Sequence, residues 1–150
     1  GRPDVLYRSA AVFLSTIFGF GAKRQVRGFR RDLVETLDRE ESGPIDGASL
    51  SNILRALVVQ PDPARQMAVD PIIRRIGRAQ RQNGTWNGFL PFYQTVNALA
   101  HLASPEIDQI LFKAFTRLAR TQHAAGHWGD GDGEWNTFLV FHALRNRGLL

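Results

Sequence analysis

Apolar residues recur at helical spacing along almost the whole chain. No stretch alternates apolar and polar residues between turn signals, as a half-buried strand would. Clusters of Gly, Pro, Asn and Asp interrupt the pattern at 42–47, 60–63, 83–91, 103–105 and 126–134. These breaks leave seven predicted helices, over 5–20, 24–40, 49–59, 65–82, 92–102, 105–124 and 135–147. The sequence therefore predicts an all-α fold.

The start of the sixth helix carries the clearest capping signal. Ser104 supplies a side-chain acceptor, Pro105 has no N–H to lose, and Glu106 places negative charge in the first turn. Asp70 and Pro71 have the same chemistry but lie one turn inside the fourth predicted helix. We therefore expect a helix to begin at Pro105.

A short motif occurs twice with a fixed spacing. Gln80, Gly84 and Trp86 in "AQRQNGTW" recur as Gln122, Gly126 and Trp128 in "TQHAAGHW", and each pair is 42 residues apart. Thr95 and Thr137 extend the match at the same spacing. A helix, a Gln-x-x-x-Gly-x-Trp corner and a second helix thus form a repeating unit.

The spacing divides the chain into repeats. Two are clear, at 65–107 and 107–150, and a degenerate one covers about 24–64, where Ala56–Leu57 aligns with Ala98–Leu99. We predict one repeat domain over 1–150, either whole or as part of a longer chain.

The repeated corner resembles the QW repeat of the triterpene cyclases and of the wider terpene cyclase and prenyltransferase superfamily. Lys113, Ala114 and Leu118 match the residues that precede the Gln in that family, whereas Arg117 stands where an aromatic residue is usual. In the upstream copy Ile76 matches, but Pro71 replaces the basic residue. The resemblance covers residues 65–150 well and 30–60 weakly.

The resemblance implies an α/α toroid and a structural role for the motif. Its members are Gln80, Gly84, Trp86, Gln122, Gly126 and Trp128. A Gln amide can bond free backbone groups at a helix end, Gly permits a left-handed turn, and Trp supplies an apolar plate with one N–H donor. Because a closed toroid of this family has about twelve helices, the chain corresponds to roughly half of an (α/α)6 barrel. The open faces would be covered by the remainder of a longer chain or by a second copy in a homodimer, unless the domain is a minimal relative.

Composition excludes several kinds of site. The chain has no Cys, which excludes disulfides, a thiolate nucleophile and the zinc site of the protein prenyltransferases that the motif resembles. Its net charge of +5 comes almost wholly from Arg. The basic residues form two helical stripes, Lys23, Arg24, Arg27, Arg30 and Arg31, and Arg74, Arg75, Arg78 and Arg81. Solvated helix faces account for these stripes better than phosphate or acidic-membrane binding does, and no aromatic residues interleave them as in a nucleic-acid binder.

An apolar stretch near the start, 10–22, is flanked by basic residues. It is too short to span a bilayer as a helix, which needs ~20 apolar residues. We expect a buried first helix in preference to a signal-peptide-like or membrane-surface segment. The compartment is left open between the cytoplasm and a membrane periphery.

Candidate catalytic residues are sparse. A cyclase needs a strong acid, which the family supplies from an Asp-x-Asp-Asp run that this chain lacks. The nearest string, Asp130, Asp132 and Glu134, is expected to be a solvated loop in which Asp132 or Glu134 caps the last helix. His101 and His142 lie on the two predicted inner helices and are weaker candidates.

A metal site in the same loop is the less favoured interpretation. His123, His127 and Asp130 lie close in sequence, but Gly126 is expected to end the helix between the histidines. A calcium loop counted from Asp130 would place Trp135 and Phe141 where Gly and Glu are required. We expect neither a metal nor another cofactor.

Aromatic residues give the best argument for a ligand. Phe89, Phe92 and Tyr93 cluster at the start of a predicted inner helix. In the family that the chain resembles, such rings line the cavity and stabilise carbocations. Core packing explains them equally well.

The expected function is therefore a cyclase-like or prenyltransferase-like domain that binds an isoprenoid or another hydrophobic small molecule, with its acid unidentified. Two alternatives stand beside it. One is a noncatalytic helical-repeat module for lipid, peptide or glycan. The other is a polysaccharide lyase or hydrolase, for which Tyr93 and His101 are thin support.

Overall fold

Helices form the whole of the secondary structure that is described. In the computed structural model the backbone is described for residues 3–38, 46–59, 63–86, 88 and 90–150. Within these ranges there are seven α-helices and no strand, which confirms the predicted all-α class. The helices are α1 (Pro3–Ile17), α2 (Arg24–Asp38), α3 (Gly47–Val58), α4 (Pro63–Ala79), α5 (Phe92–Leu99), α6 (Pro105–Thr121) and α7 (Gly133–Asn146). None of the described helices is long and apolar enough to cross a membrane.

The chain folds as two compact units, Gly1–Arg74 and Arg75–Leu150. The boundary falls within α4, shortly after Pro71. The single repeat domain predicted over 1–150 stays a prediction.

The helix starts follow local capping chemistry. As predicted, the hydroxyl of Ser104 accepts from the backbone N–H of Ile107 at 3.2 Å, and α6 begins at Pro105. Asp46 caps α3 in the same way, since its carboxylate accepts from the N–H of Ser49 at 3.0 Å. These bonds satisfy first-turn donors that have no partner within the helix.

Of the two predicted caps of the last helix, Asp132 is correct in position, but its side chain does not cap the helix. Asp132 occupies the N-cap position of α7, but its side chain makes no capping hydrogen bond. Its backbone (φ −83°, ψ 56°) is not in the extended conformation that turns a cap side chain over the first turn. Glu134 already lies inside the first turn and so is not the cap either.

In the first unit, α1 packs against α2 and α3 around a small apolar core. Val12, Leu33, Ile53 and Leu54 are among its most deeply buried residues. Arg55 is buried there too, with its guanidinium carbon 4.3 Å from the centre of the Phe13 ring. Burial lowers the pKa of this guanidinium.

In the second unit, α5 packs against α6 and α7. Its core contains the indole of Trp86 together with Leu99, Leu111 and Leu139. Thr95, the first residue of the extended sequence match, is fully buried. This unit contains both copies of the Gln-x-x-x-Gly-x-Trp motif.

The two motif corners, Gln80–Trp86 (the first corner) and Gln122–Trp128 (the second corner), have the same internal geometry. Gln80 and Gln122 each donate from the side-chain amide to the carbonyl of the Gly four residues later, at 3.2 and 3.0 Å. Each glycine has a left-handed backbone, with φ of 82° at Gly84 and 87° at Gly126. The repeat predicted from sequence is thus a repeat of hydrogen bonds.

The tryptophans close each corner onto the preceding helix. The indole N–H of Trp86 donates to the carbonyl of Ile76 at 2.9 Å, and that of Trp128 donates to the carbonyl of Leu118 at 2.8 Å. Both side chains are almost fully buried. In each corner the Trp thus bonds a carbonyl of the preceding helix, and the Gln bonds the carbonyl of the corner glycine.

This chemistry explains why the predicted helices run too far. α4 ends at Ala79 and α6 at Thr121, each just before the Gln. Gln122 is already extended (φ −70°, ψ 130°), because the chain must turn there for its amide to meet the carbonyl of Gly126. The corner therefore begins earlier than the apolar pattern indicates.

Candidate functional site

A row of exposed aromatic rings lies along α7 in the second unit. The rings of Trp135 and Phe138 stack with centroids 5.4 Å apart, and Phe138 stacks on the imidazole of His142 at 6.0 Å. Trp135 is 44% exposed and Phe138 53% exposed. Residues three and four apart share a helix face, so this spacing aligns the rings. We call Trp135, Phe138, His142 and His101 the aromatic row.

His101 completes the row from the end of α5. Its ring centroid lies 5.1 Å from that of His142. The structure thus brings together the two candidate histidines, His101 just after the end of α5 and His142 on α7. Their proximity alone assigns them no catalytic role.

Two asparagines fix these imidazoles. The side-chain nitrogen of Asn97 lies 2.9 Å from Nδ1 of His142 and also donates to the carbonyl of Leu139 at 3.1 Å. Because an amide nitrogen can only donate, Nδ1 of His142 accepts, and its proton resides on Nε2. Asn146 lies 3.2 Å from Nε2 of His101. His142 is therefore held by the buried side chain of Asn97, whereas the contact of Asn146 with His101 is exposed.

The predicted aromatic ligand residues lie elsewhere, beside the first corner. Phe92 tilts against the indole of Trp86 at 5.9 Å, and Tyr93 meets the Phe92 ring edge-on at 5.2 Å. The Arg117 guanidinium lies 5.8 Å from the centre of the Phe92 ring. Phe89 lies outside the described residues. These contacts give Phe92 and Tyr93 a packing role, while their predicted role in ligand binding stays a prediction.

Burial raises the pKa of the Tyr93 hydroxyl. The positive charge of Arg117 acts against this shift, and the negative charge of Asp130 adds to it. A phenol with a raised pKa holds its proton at neutral pH, so Tyr93 is a hydrogen-bond donor there rather than a base.

The carboxylates after the second corner are exposed. Asp130, Asp132 and Glu134 all lie at the surface, and the Asp130 side chain is 98% exposed. In the described part of the chain, no hydrogen bond or ion pair joins them to His101 or His142. The catalytic candidates thus fall into two separate groups.

The histidines of the same loop form a stacked pair. The rings of His123 and His127 are nearly parallel, 8° apart in plane, with centroids 4.3 Å apart. Both residues follow the end of α6, and Nε2 of His123 lies 3.4 Å from a carboxylate oxygen of Asp130. In parallel imidazoles the nitrogen lone pairs point along parallel directions. Two histidines that bind one zinc ion must instead direct their nitrogens at the same point, each about 2.0–2.1 Å from the metal. Over the described residues, no group of three or more His, Asp and Glu side chains has the geometry to hold a metal ion.

A shallow groove of about 340 Å³ lies between α6 and the first corner. Its lining is mostly polar and basic: Gln82, Asn83, Phe112, Lys113, Thr116, Arg117, Arg120 and Thr121. Its three cations, Lys113, Arg117 and Arg120, suit an anionic group.

No protein-family model matches this chain, and no curated protein or solved structure is significantly similar to it.

An exposed apolar tip ends α1 in the first unit. Leu14, Ile17, Phe18 and Phe20 are exposed, with Phe18 at 70%. Lys23, Arg24 and Arg27 follow at exposed positions at the start of α2. The predicted buried first helix is thus correct for Val12 and Phe13 and wrong for its last turn.

Sequence reasoning missed most of the aromatic row. Trp135, Phe138 and His142 lie three and four residues apart, which is the signal that could have identified a shared helix face. Asn97 and Asn146 carried no such signal, since their roles depend on how α5 packs against α7.

Proposed function

We propose that the second unit binds an isoprenoid or a similar branched apolar chain on the aromatic row, as part of a cyclase-like or prenyltransferase-like repeat domain. The stacked and exposed rings of Trp135 and Phe138 carry the proposal. Large exposed aromatic side chains in mutual contact cost free energy in water, and they mark surfaces that bind apolar partners. The repeated corner, with its resemblance to the QW element, supports the same class of ligand.

The chemistry of the row suits a neutral or cationic apolar ligand. Ring faces carry negative electrostatic potential, so methyl-rich chains and positively charged carbon centres both bind to them. His142 lies between Phe138 and His101 in the row and supplies a polar group there, with its Nδ1 bonded by Asn97. A prenyl alcohol would place its hydroxyl there.

Binding is tested with farnesol as the probe and a straight-chain alcohol of equal carbon number as the comparison ligand. Isothermal titration calorimetry measures the affinity of each alcohol for the intact chain and for the Phe138→Ala variant. We expect saturable farnesol binding that weakens about tenfold in Phe138→Ala, because one aromatic contact contributes ~0.5–1.5 kcal/mol beyond its area. The straight chain should bind more weakly, since it lacks the methyl branches that contact the rings.

Phe112→Ala is the matched control. Phe112 is 74% exposed, on α6, outside the row. The proposal fails if farnesol does not bind, or if Phe112→Ala weakens binding as much as Phe138→Ala does.

A second candidate function, attachment to an anionic membrane surface, is favoured by the exposed tip of α1. Apolar side chains beside basic residues insert at the lipid interface while the cations pair with acidic head groups. Vesicle flotation with and without phosphatidylserine tests it. Phe18→Ser should reduce recovery with anionic vesicles several-fold, high salt should reduce it further, and Phe112→Ser should leave it unchanged. Equal recovery of both variants would rule out this tip as the anchor.

A further inference from the structure

The first corner is a seat for a helix. Besides bonding Gly84, the amide of Gln80 donates to the main-chain carbonyl of Ile110 in the middle of α6, at 2.9 Å. A Cβ on Gly84 would lie 2.5 Å from the carbonyl oxygen of Lys113, so only glycine permits this approach of α6. One turn back, a Cβ on Gly77 would lie 3.2 Å from the side chain of Ile110. Small residues and one amide thus hold α6 against the end of α4.

Within the second unit, the second corner has the same arrangement, and none of the described helices of that unit packs on it. Ala119, Gln122 and Gly126 follow Gly77, Gln80 and Gly84 at the 42-residue spacing. Ala119 and Gln122 are exposed. Among the described residues, no atom lies within 4 Å of a Cβ placed on Gly126.

Conformation does not explain the difference between the corners. Both glycines have φ above 80°, and both Gln amides bond the corner glycine. The amide of Gln80 makes a second bond, to α6, whereas among the described residues the amide of Gln122 bonds only to Gly126. The outward face at Ala119, Gln122 and Gly126 is therefore preformed for a contact that the first corner shows completed.

We propose that this face, which we call the open seat, docks an α-helix of the α6 type. Such a helix has an aliphatic residue at the position equivalent to Ile110. The main-chain carbonyl of that residue accepts a hydrogen bond from the side-chain amide of Gln122. The helix has a small residue four positions later, at the place of Ala114, so that its backbone can approach Gly126. Its first turn is acidic, as Glu106 and Asp108 make that of α6.

The completed α4–α6 contact identifies this occupant rather than a strand or a loop. In α6 the carbonyl of Ile110 accepts its intrahelical bond and the Gln80 amide at once, which its two lone pairs allow. The backbone nitrogen of Ala114 would lie 3.1 Å from a Cβ on Gly84, so the backbone of α6 packs directly against this glycine. A helix with a small residue at this position can approach as closely. The same interface, shifted by one repeat, defines the open seat.

The test uses the intact chain and a fluorescein-labelled, N-acetylated peptide with the sequence of residues 104–121. Fluorescence anisotropy should show saturable one-to-one binding. Two variants of the chain should weaken it at least tenfold: Ala119→Glu, which places a charge on the seat, and Gly126→Ala, whose Cβ blocks the close approach. Circular dichroism confirms that each variant is folded.

Two controls make the test specific. Gly148→Ala changes another left-handed glycine (φ 65°) with no atom within 4 Å of its Cβ, and should leave peptide binding unchanged. A peptide carrying Ala114→Leu should bind at least tenfold more weakly than the native peptide. Absence of binding, or equal binding to Ala119→Glu and Gly148→Ala, would overturn the proposal. Concentration-dependent dimerisation by light scattering, lost in Ala119→Glu, would also overturn it, because the occupant would then be a second copy of the chain.

Discussion

The indole of Trp128 donates its N–H to the carbonyl of Leu118, ten residues earlier, at 2.8 Å. The bond is buried and closes the second corner onto α6. Trp86 and Ile76 make the same bond one repeat earlier. Trp is used in each corner because its indole both fills the apolar core and donates a hydrogen bond to a helix carbonyl.

Trp128→Phe should destabilise the chain by about 1–3 kcal/mol, because it removes the donor and leaves a buried carbonyl unsatisfied. Urea unfolding followed by circular dichroism measures the change. Trp135→Phe is the control, since Trp135 is partly exposed and its substitution should stay within about 0.5 kcal/mol of the native chain. Equal losses in the two variants would contradict the role given to the Trp128 bond.

Gly84→Ala and Gly126→Ala should separate backbone strain from crowding. Both glycines are left-handed, so each substitution costs about 1–2 kcal/mol in conformation. At Gly84 the new Cβ also meets the carbonyl of Lys113 at 2.5 Å, which forces α6 to shift and adds about 1–3 kcal/mol. We expect Gly84→Ala to lower the urea midpoint clearly more than Gly126→Ala. A larger loss in Gly126→Ala would contradict the difference between the corners.

Asn97→Asp should be strongly destabilising at pH 7. Asn97 is fully buried and donates to two acceptors, the carbonyl of Leu139 and Nδ1 of His142, whereas an ionised carboxylate only accepts. We expect a loss of about 2–4 kcal/mol that shrinks as the pH falls, because protonation restores a donor. Asn146→Asp makes the same change at an exposed position and should have little effect on urea unfolding. A loss for Asn97→Asp that does not depend on pH would contradict the donor role of Asn97.

Asp46→Ala should cost about 0.5–2 kcal/mol at pH 7 through loss of the α3 cap. The N–H of Ser49 is the main cause that lowers the pKa of Asp46 in the folded chain, and the Ser49 hydroxyl adds to it. A lowered folded-state pKa means that this stabilisation is complete above the unfolded pKa of about 3.9 and is lost as the pH falls through the folded value. The native chain and the variant should therefore converge in stability in acid unfolding curves. A constant difference down to the lowest pH would rule out the charged cap.

The periodic pattern predicted the number, order and type of the helices because it reflects which face of each helix is buried. The Ser104 cap and the repeated Trp corners were also predicted from the sequence, since both depend on residues close together in the chain. The ends of α4 and α6 were misplaced because Gln80 and Gln122 read as helix formers, while their bonds to the corner glycines require an extended turn.

The candidate site was less predictable for a physical reason. Trp135 and His142 share a helix face that the sequence can indicate, but the contact of His142 with His101 depends on the packing of α5 against α7. The acidic loop was a candidate site because Asp and Glu are common catalytic residues, but its carboxylates are exposed to solvent. The sequence does not report solvent exposure directly, so it could not distinguish a buried acid from an exposed one.

The short span of the corner bonds bears on how this fold forms. The bonds from Gln80 to Gly84, from Arg81 to Thr85 and from Trp86 to Ile76 join residues no more than ten apart. Closing such loops costs little chain entropy, so each corner can assemble before distant helices meet, and the bond from Gln80 to Ile110 can then add α6 to a finished turn. A chain built in this way would fold by extension from one corner to the next, with rates set by local turns rather than by a search over the whole sequence.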